Sequence, residues 1–179
     1  MAHSIELLLD PAGEAAVRAD WQCLADAGLP SQIRVHSPTN RPHITLLAAR
    51  RIGSGVDEVL RELADRLPLA CVVGAPLVFG GPRLTLARSI VPSAGLLALH
   101  EVVFRLAVPY AIGEPFAHCR PGGWSPHATL GRRFTAEQIG AAMNVLTEGA
   151  GGAGTEVAAE VVGLRRWDSD QRVDHLLIG

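Results

Sequence analysis

The five residues Pro42-His43-Ile44-Thr45-Leu46 return as Pro126-His127-Ala128-Thr129-Leu130, 84 positions further along the chain. Each copy is followed by an arginine pair, Arg50-Arg51 and Arg132-Arg133, and then by a stretch of helical periodicity. In a chain of this composition two such matches arise by chance with a probability on the order of a few in a million. The sequence is therefore read as two strand-then-helix repeats, over residues 42–67 and 126–147, that the fold has to place as a matched pair.

On a strand, residues two apart share a face. His43 and Thr45 then point one way while Ile44 and Leu46 point into a core, and His127 and Thr129 are divided from Ala128 and Leu130 in the same manner. Packed about a pseudo-twofold axis, the repeats would bring two imidazoles and two hydroxyls to one cleft. That set suits in-line displacement at phosphorus, which needs a base for the attacking oxygen and an acid, on the opposite side, for the leaving oxygen. One neutral and one protonated histidine can fill both roles. Hydroxyls of Thr45 and Thr129 could hold the non-bridging oxygens as charge builds. Zinc on His43 and His127 is the chemical rival, but no third ligand at a recognisable spacing accompanies either, so no metal and no cofactor is expected.

All 16 basic residues are arginine. Without lysine there is no lysyl-nucleotide intermediate, no Schiff base and no phosphate-binding loop that ends in Gly-Lys. Charge is nearly balanced at −2, so any nucleic-acid contact is local, and a nucleotide or short RNA end suits the chain better than long structured RNA. Arg41, before the first repeat, and Arg132 and Arg133, after the second, are candidate phosphate contacts. Trp124 and Tyr110 are candidates for a base-stacking wall together with Phe116. His3, His36, His100, His118 and His175 have no comparable context and are read as surface or packing residues.

The chain's 179 residues suffice for one domain with a sizeable core. Cys23, Cys71 and Cys119 are widely spaced and lack a Cys-x-x-Cys pattern, as in a reduced cytoplasmic protein. Glu6 and Asp10 fall too early for a signal peptide. The most apolar stretch, residues 67–79, is too short and too interrupted by Pro68 and Pro76 to span a bilayer, which predicts buried strands and no membrane partner.

Periodicity, caps and breakers predict helices over residues 11–27, 55–67, 93–107 and 135–147. Strands are predicted over 4–9, 42–49, 69–73, 77–79, 83–90 and 127–131, with a closing hairpin of 157–167 and 173–178. Residues 109–126 read as a long loop. The mixture favours an α+β fold with largely antiparallel sheet. Gly149-Ala150-Gly151-Gly152-Ala153-Gly154 matches the Gly-x-Gly-x-x-Gly spacing of dinucleotide sites, but a helix precedes it and a strand follows, the reverse of what pyrophosphate binding needs, so it reads as a linker.

The paired His-x-Thr-Leu tetrads, 43–46 and 127–130, resemble those of the two-histidine (2H) phosphoesterase superfamily, and in particular its bacterial 2'-5' RNA ligase and RNA 2',3'-cyclic phosphodiesterase branch. The resemblance covers essentially the whole of residues 1–179. It implies one bilobal α+β domain, with two pseudo-symmetric lobes around a central groove. It implies His43 and His127 as the acid–base pair and Thr45 and Thr129 as the phosphate-holding hydroxyls. The activity implied is metal-independent hydrolysis of 2',3'-cyclic phosphate ends of RNA or nucleotides, with reverse 2'-5' ligation in some members, by a monomer. The residues themselves leave two alternatives open: a non-catalytic module that binds nucleotide or RNA ends, and a phosphoesterase for another cyclic phosphate such as a cyclic ADP-ribose phosphate.

Overall fold

The structure, a computed structural model, describes residues 2–148 and 156–179. The glycine-rich stretch 149–154 lies outside them. Strand β1 (His3–Leu9) leads into helix α1 (Pro11–Asp26), whose start is set by Asp10 accepting from the Gly13 N–H and by Pro11 in the first turn. Gly28 leaves the helix at φ +73°, a conformation glycine adopts without penalty. The chain continues through β2 (His43–Ala49), a two-residue strand β3 (Arg51–Ile52), α2 (Val56–Arg61) and β4 (Leu69–Phe79). Then come β5 (Leu84–Ile90), α3 (Ala94–Ala107), the two-residue β6 (Ala111–Ile112), β7 (His127–Phe134), α4 (Ala136–Glu148), β8 (Val157–Asp168) and β9 (Val173–Ile178). With the short β3 and β6 set aside, β-α-β-α-β occurs twice in succession, as β1 to β4 and as β5 to β8.

Strands β3 and β6 pair in a separate, two-stranded sheet, and the other seven form one antiparallel sheet in the order β1-β2-β7-β5-β4-β8-β9, in which β8 also pairs with β1. The length of β8 makes this possible. Its first residues, Val157 to Val161, pair with β4, and from Val161 to Trp167 it pairs with β1. Two lobes result, β2-β1-β8-β9 and β7-β5-β4-β8, sharing β8 on one side. On the other side β2 and β7 meet at a single pair, Ile44 with Ala128. Helix α1 packs on β7 and β8 beside α4, whereas α3 packs on β2 beside α2. The helix of each half thus covers a repeat strand of the other, and Ile5, Leu7, Val17, Leu24, Ile44, Leu46, Leu86, Leu96, Leu130 and Phe134 lie in one contiguous core.

Local capping accounts for the other two long helices. Ser93 accepts from the Leu96 N–H at the start of α3. Thr135 and Gln138 form a reciprocal box ahead of α4, each side chain accepting from the other's backbone N–H at 3.2 and 2.9 Å. Gly131 is required where β7 runs under the loop after α1, because a Cβ there would lie 2.4 Å from the Pro30 carbonyl oxygen.

Three expected elements are corrected. The helix expected over 55–67 is a six-residue α2 followed by a 3-10 turn at Ala64–Arg66. Gly55 offers no side-chain cap, and Leu67, preceding Pro68, is excluded from helical geometry. The two strands expected over 69–73 and 77–79 are one strand, since the pairing of β4 with β5 breaks register between Val73 and Pro76, where a residue without an N–H is tolerated. The strand expected to end at 131 continues to Phe134 along β5. Among the described residues no helix is long and apolar enough to cross a membrane.

Candidate active site

The Ile44–Ala128 pair joins the middle residues of the two five-residue motifs at the seam between the lobes. Ile44 and Ala128 are fully buried there. Their neighbours His43, Thr45, His127 and Thr129 line a groove of about 1160 Å³ between the lobes. Antiparallel register sets each histidine across the seam from the other repeat's threonine. The cleft is ample for a nucleotide.

Both imidazoles are oriented in the same way. His43 Nδ1 donates to the Arg41 carbonyl at 2.8 Å and His127 Nδ1 to the Ser125 carbonyl at 2.7 Å, each two residues back along the chain. A carbonyl only accepts, so the proton sits on Nδ1 and each Nε2 is left for the groove. The threonine backbones are matched too. Trp124 Nε1 donates to the Thr45 carbonyl at 2.8 Å, and Trp21 Nε1 donates to the Thr129 carbonyl at 2.9 Å. Two indoles from outside the repeats therefore clasp the seam, one on each side.

The electrostatics break the symmetry. On the first lobe Glu6, opposite Thr45 on β1, brings Oε1 to 3.7 Å from His43 Nε2. Ser4 donates to the same oxygen at 2.6 Å, and Arg165 Nε donates to Oε2 at 2.8 Å. Burial acts to raise the Glu6 pKa, but His43, Arg165 and Ser4 outweigh it and hold the carboxyl below its ordinary range. No carboxylate is paired with His127 among the described residues. Its ring lies 4.5 Å from that of Phe79. Burial lowers its pKa, and although the Ser125 carbonyl works the other way, the positive charges of Arg132, His43 and His118 add to the depression. One imidazole thus faces a carboxylate, and the other sits where its neutral form is favoured.

Of the other expected contacts, Arg132, Trp124 and Phe116 line the groove. Trp124 stacks one face on His100, at 3.9 Å between ring centroids and 5° between planes. His100 Nε2 in turn lies 3.1 and 3.0 Å from the carbonyls of Leu46 and Cys119. Three residues are not brought to the groove. Arg41 is drawn away to Glu14 on α1. Arg133 adjoins Arg132 at the end of a strand, where neighbours face opposite ways, and takes φ +70°. Tyr110 packs against the core, its ring beside Gly55.

Sequence reasoning missed Glu6, Arg165 and Phe79, and it set aside His36 and His118, all of which line the groove. The signal for Glu6 was present, a carboxylate two residues from Ser4 in a strand that is otherwise buried and largely apolar. Nothing local marks Arg165, which lies 159 residues from its partner.

The sequence model of the 2'-5' RNA ligase superfamily matches residues 14–171. Among solved structures, the Usb1 protein of Kluyveromyces marxianus superimposes with a TM-score of 0.55 at 13% identity, over 99% of this chain and 98% of that one. The same protein with uridine monophosphate gives 0.54 at 12% identity, covering 99% and 97%. A crystal structure described as a phosphoesterase gives 0.53 at 17% identity, covering 99% and 94%. At such identities these likenesses establish the fold. No curated protein matches the sequence.

Proposed function

The chain belongs to the 2'-5' RNA ligase superfamily, a family of phosphoesterase and ligase-type enzymes, and from its groove we propose that it hydrolyses 2',3'-cyclic phosphate ends of RNA or nucleotides without a metal. The observation that carries this reading is the pair of imidazoles on matching strands, each locked by a carbonyl two residues back and each presenting Nε2 to one groove. A likeness to a structure holding uridine monophosphate supports an occupant of nucleotide size.

The asymmetry of the groove divides the labour. His127, favoured in its neutral form, takes a proton from water as the water oxygen attacks phosphorus. His43, facing the Glu6 carboxylate, carries the proton that passes to the departing 3' oxygen. The P–O3' bond breaks, the P–O bond to water forms, and a 2'-phosphomonoester remains. The hydroxyls of Thr45 and Thr129 donate to the non-bridging oxygens, with Arg132 on the same wall. After turnover His127 is protonated and His43 neutral, and exchange with solvent resets the pair. In some members of the family a 5' hydroxyl takes the place of water and a 2'-5' linkage is joined, with one histidine deprotonating that hydroxyl and the other protonating the departing 3' oxygen as before.

The test is turnover of 2',3'-cyclic nucleotides and of short RNAs with cyclic ends, in chelator. His43→Ala and His127→Ala are each expected to lose about 10²–10⁴-fold in kcat, and the double variant little more, because the pair acts as a unit. The product should be a 2'-phosphate. Well-folded protein that binds these ends without turnover would favour the binding-module reading, and turnover only of another cyclic phosphate would redirect the substrate assignment. Activity lost in chelator and restored by zinc would overturn the metal-independent mechanism.

A further inference from the structure

On the opposite side of β1 from Glu6, His3 is 2% exposed, yet neither of its ring nitrogens makes a hydrogen bond. Its Nε2 lies 3.4 Å from Asp168 Oδ1, at the end of β8, and 3.3 Å from Asp170 Oδ2, in the turn between β8 and β9. All three atoms fall within 4.8 Å of one another. His3 and Asp168 border a cavity of about 270 Å³, which is also lined by His175, Arg51 and Arg166. A buried imidazole with both nitrogens unsatisfied is costly, and native structures give such groups a partner.

The two distances from His3 Nε2 point to the partner's geometry. In a tetrahedral site with metal–ligand bonds of about 2.0–2.1 Å, the ligand atoms stand about 3.3–3.4 Å apart. They flank the imidazole lone pair instead of lying along it. Carboxylate oxygens placed so are near enough to His3 for an ion pair but off the direction of a hydrogen bond, which is what His3 shows. One nitrogen and two carboxylate oxygens suit a borderline divalent ion. Arg166 grips Asp57 at 2.6 and 2.9 Å and lies 3.7 Å from Asp168 Oδ2, not from the Oδ1 that approaches His3. Arg51, half-exposed, reaches Asp170 Oδ2 at 3.2 Å and competes with a cation for that oxygen.

We propose that His3, Asp168 and Asp170 form a structural site for a divalent transition-metal ion, Zn²⁺ by fit, with water completing its coordination. Such an ion ties the start of β1 to the β8–β9 turn. It sits across the sheet from the groove, so its effect is on stability and not on the chemistry there.

The experiment is thermal unfolding and calorimetric titration with Zn²⁺ on protein free of any polyhistidine tag. At a hundred-fold excess over Kd, Zn²⁺ should raise Tm by about 5–10 °C with one equivalent bound. The His43→Ala/His127→Ala double variant should respond equally, since its groove histidines are gone. His3→Ala should lose the response, and so should Asp170→Asn, a change at a half-exposed turn position that leaves the core intact. Arg51→Ala, which frees the Asp170 oxygen, should bind more tightly than wild type. With Co²⁺ in place of Zn²⁺, wild type should show the intense visible bands of a tetrahedral ion. A Zn²⁺ response that persists in both His3→Ala and Asp170→Asn, or none in either wild type or Arg51→Ala, would overturn the site.

Discussion

Replacing Trp124 by Phe tests whether the indole clasps hold the seam on which the groove is built. The change deletes one N–H, the donor that meets the Thr45 carbonyl at 2.8 Å, and keeps an aromatic ring above His100, 3.9 Å away in the native stack. A hydrogen bond of this kind has a net worth of about 0.5–1.5 kcal/mol. For a chain of this size about 1 kcal/mol corresponds to a fall in Tm of about 2–4 °C. Thr45 is also expected to hold a phosphate oxygen, and its strand meets β7 at one pair only. If the same energy is lost from the transition state, kcat falls about five-fold. Trp21→Phe removes the matching bond to Thr129, but at a fully buried position, and should cost more through the space it leaves. Thermal unfolding and steady-state kinetics on the same preparations read both effects. A Trp124→Phe protein with the Tm and kcat of wild type would refute the clasp.

Two further outcomes follow from the charges. Burial, with Arg132, His43 and His118, holds the His127 pKa below its ordinary value. The acid limb of kcat/KM, where the base takes up a proton, should therefore lie below pH about 6.5. Arg132→Gln removes one of those cations and should move the limb to higher pH, and a limb that stayed or moved down would contradict the assignment of His127 as base. Asp57→Asn strips the buried Arg166 of the carboxylate that grips it through two bonds. The loss should be about 3–5 kcal/mol in urea unfolding, because a guanidinium 3% exposed is left without its main counter-charge. A loss under about 1 kcal/mol would show that water reaches the pair.

The two motifs and much of the local structure were legible in the chain itself. A repeated His-x-Thr-Leu states which side chains share a face, because alternation on a strand is a local property. The starts of α1, α3 and α4 were legible for the same reason, since Asp10, Ser93 and Thr135 cap donors only three residues away. What the tertiary structure decided is partnership across the chain. The β2–β7 seam, 84 residues apart in sequence, turns two motifs into one groove. Glu6 and Arg165 come to stand beside His43 alone, and Phe79 beside His127, so that equal motifs acquire unequal charge. Arg41 and Tyr110 are taken out of the site by Glu14 and by the core around Gly55. His3 meets Asp168 and Asp170 only because β8 is long enough to pair with β4, β1 and β9 in turn. Periodicity records which face a residue occupies. The residue opposite it depends on register and on where the sheet parts, and these are set by the packing of the whole core.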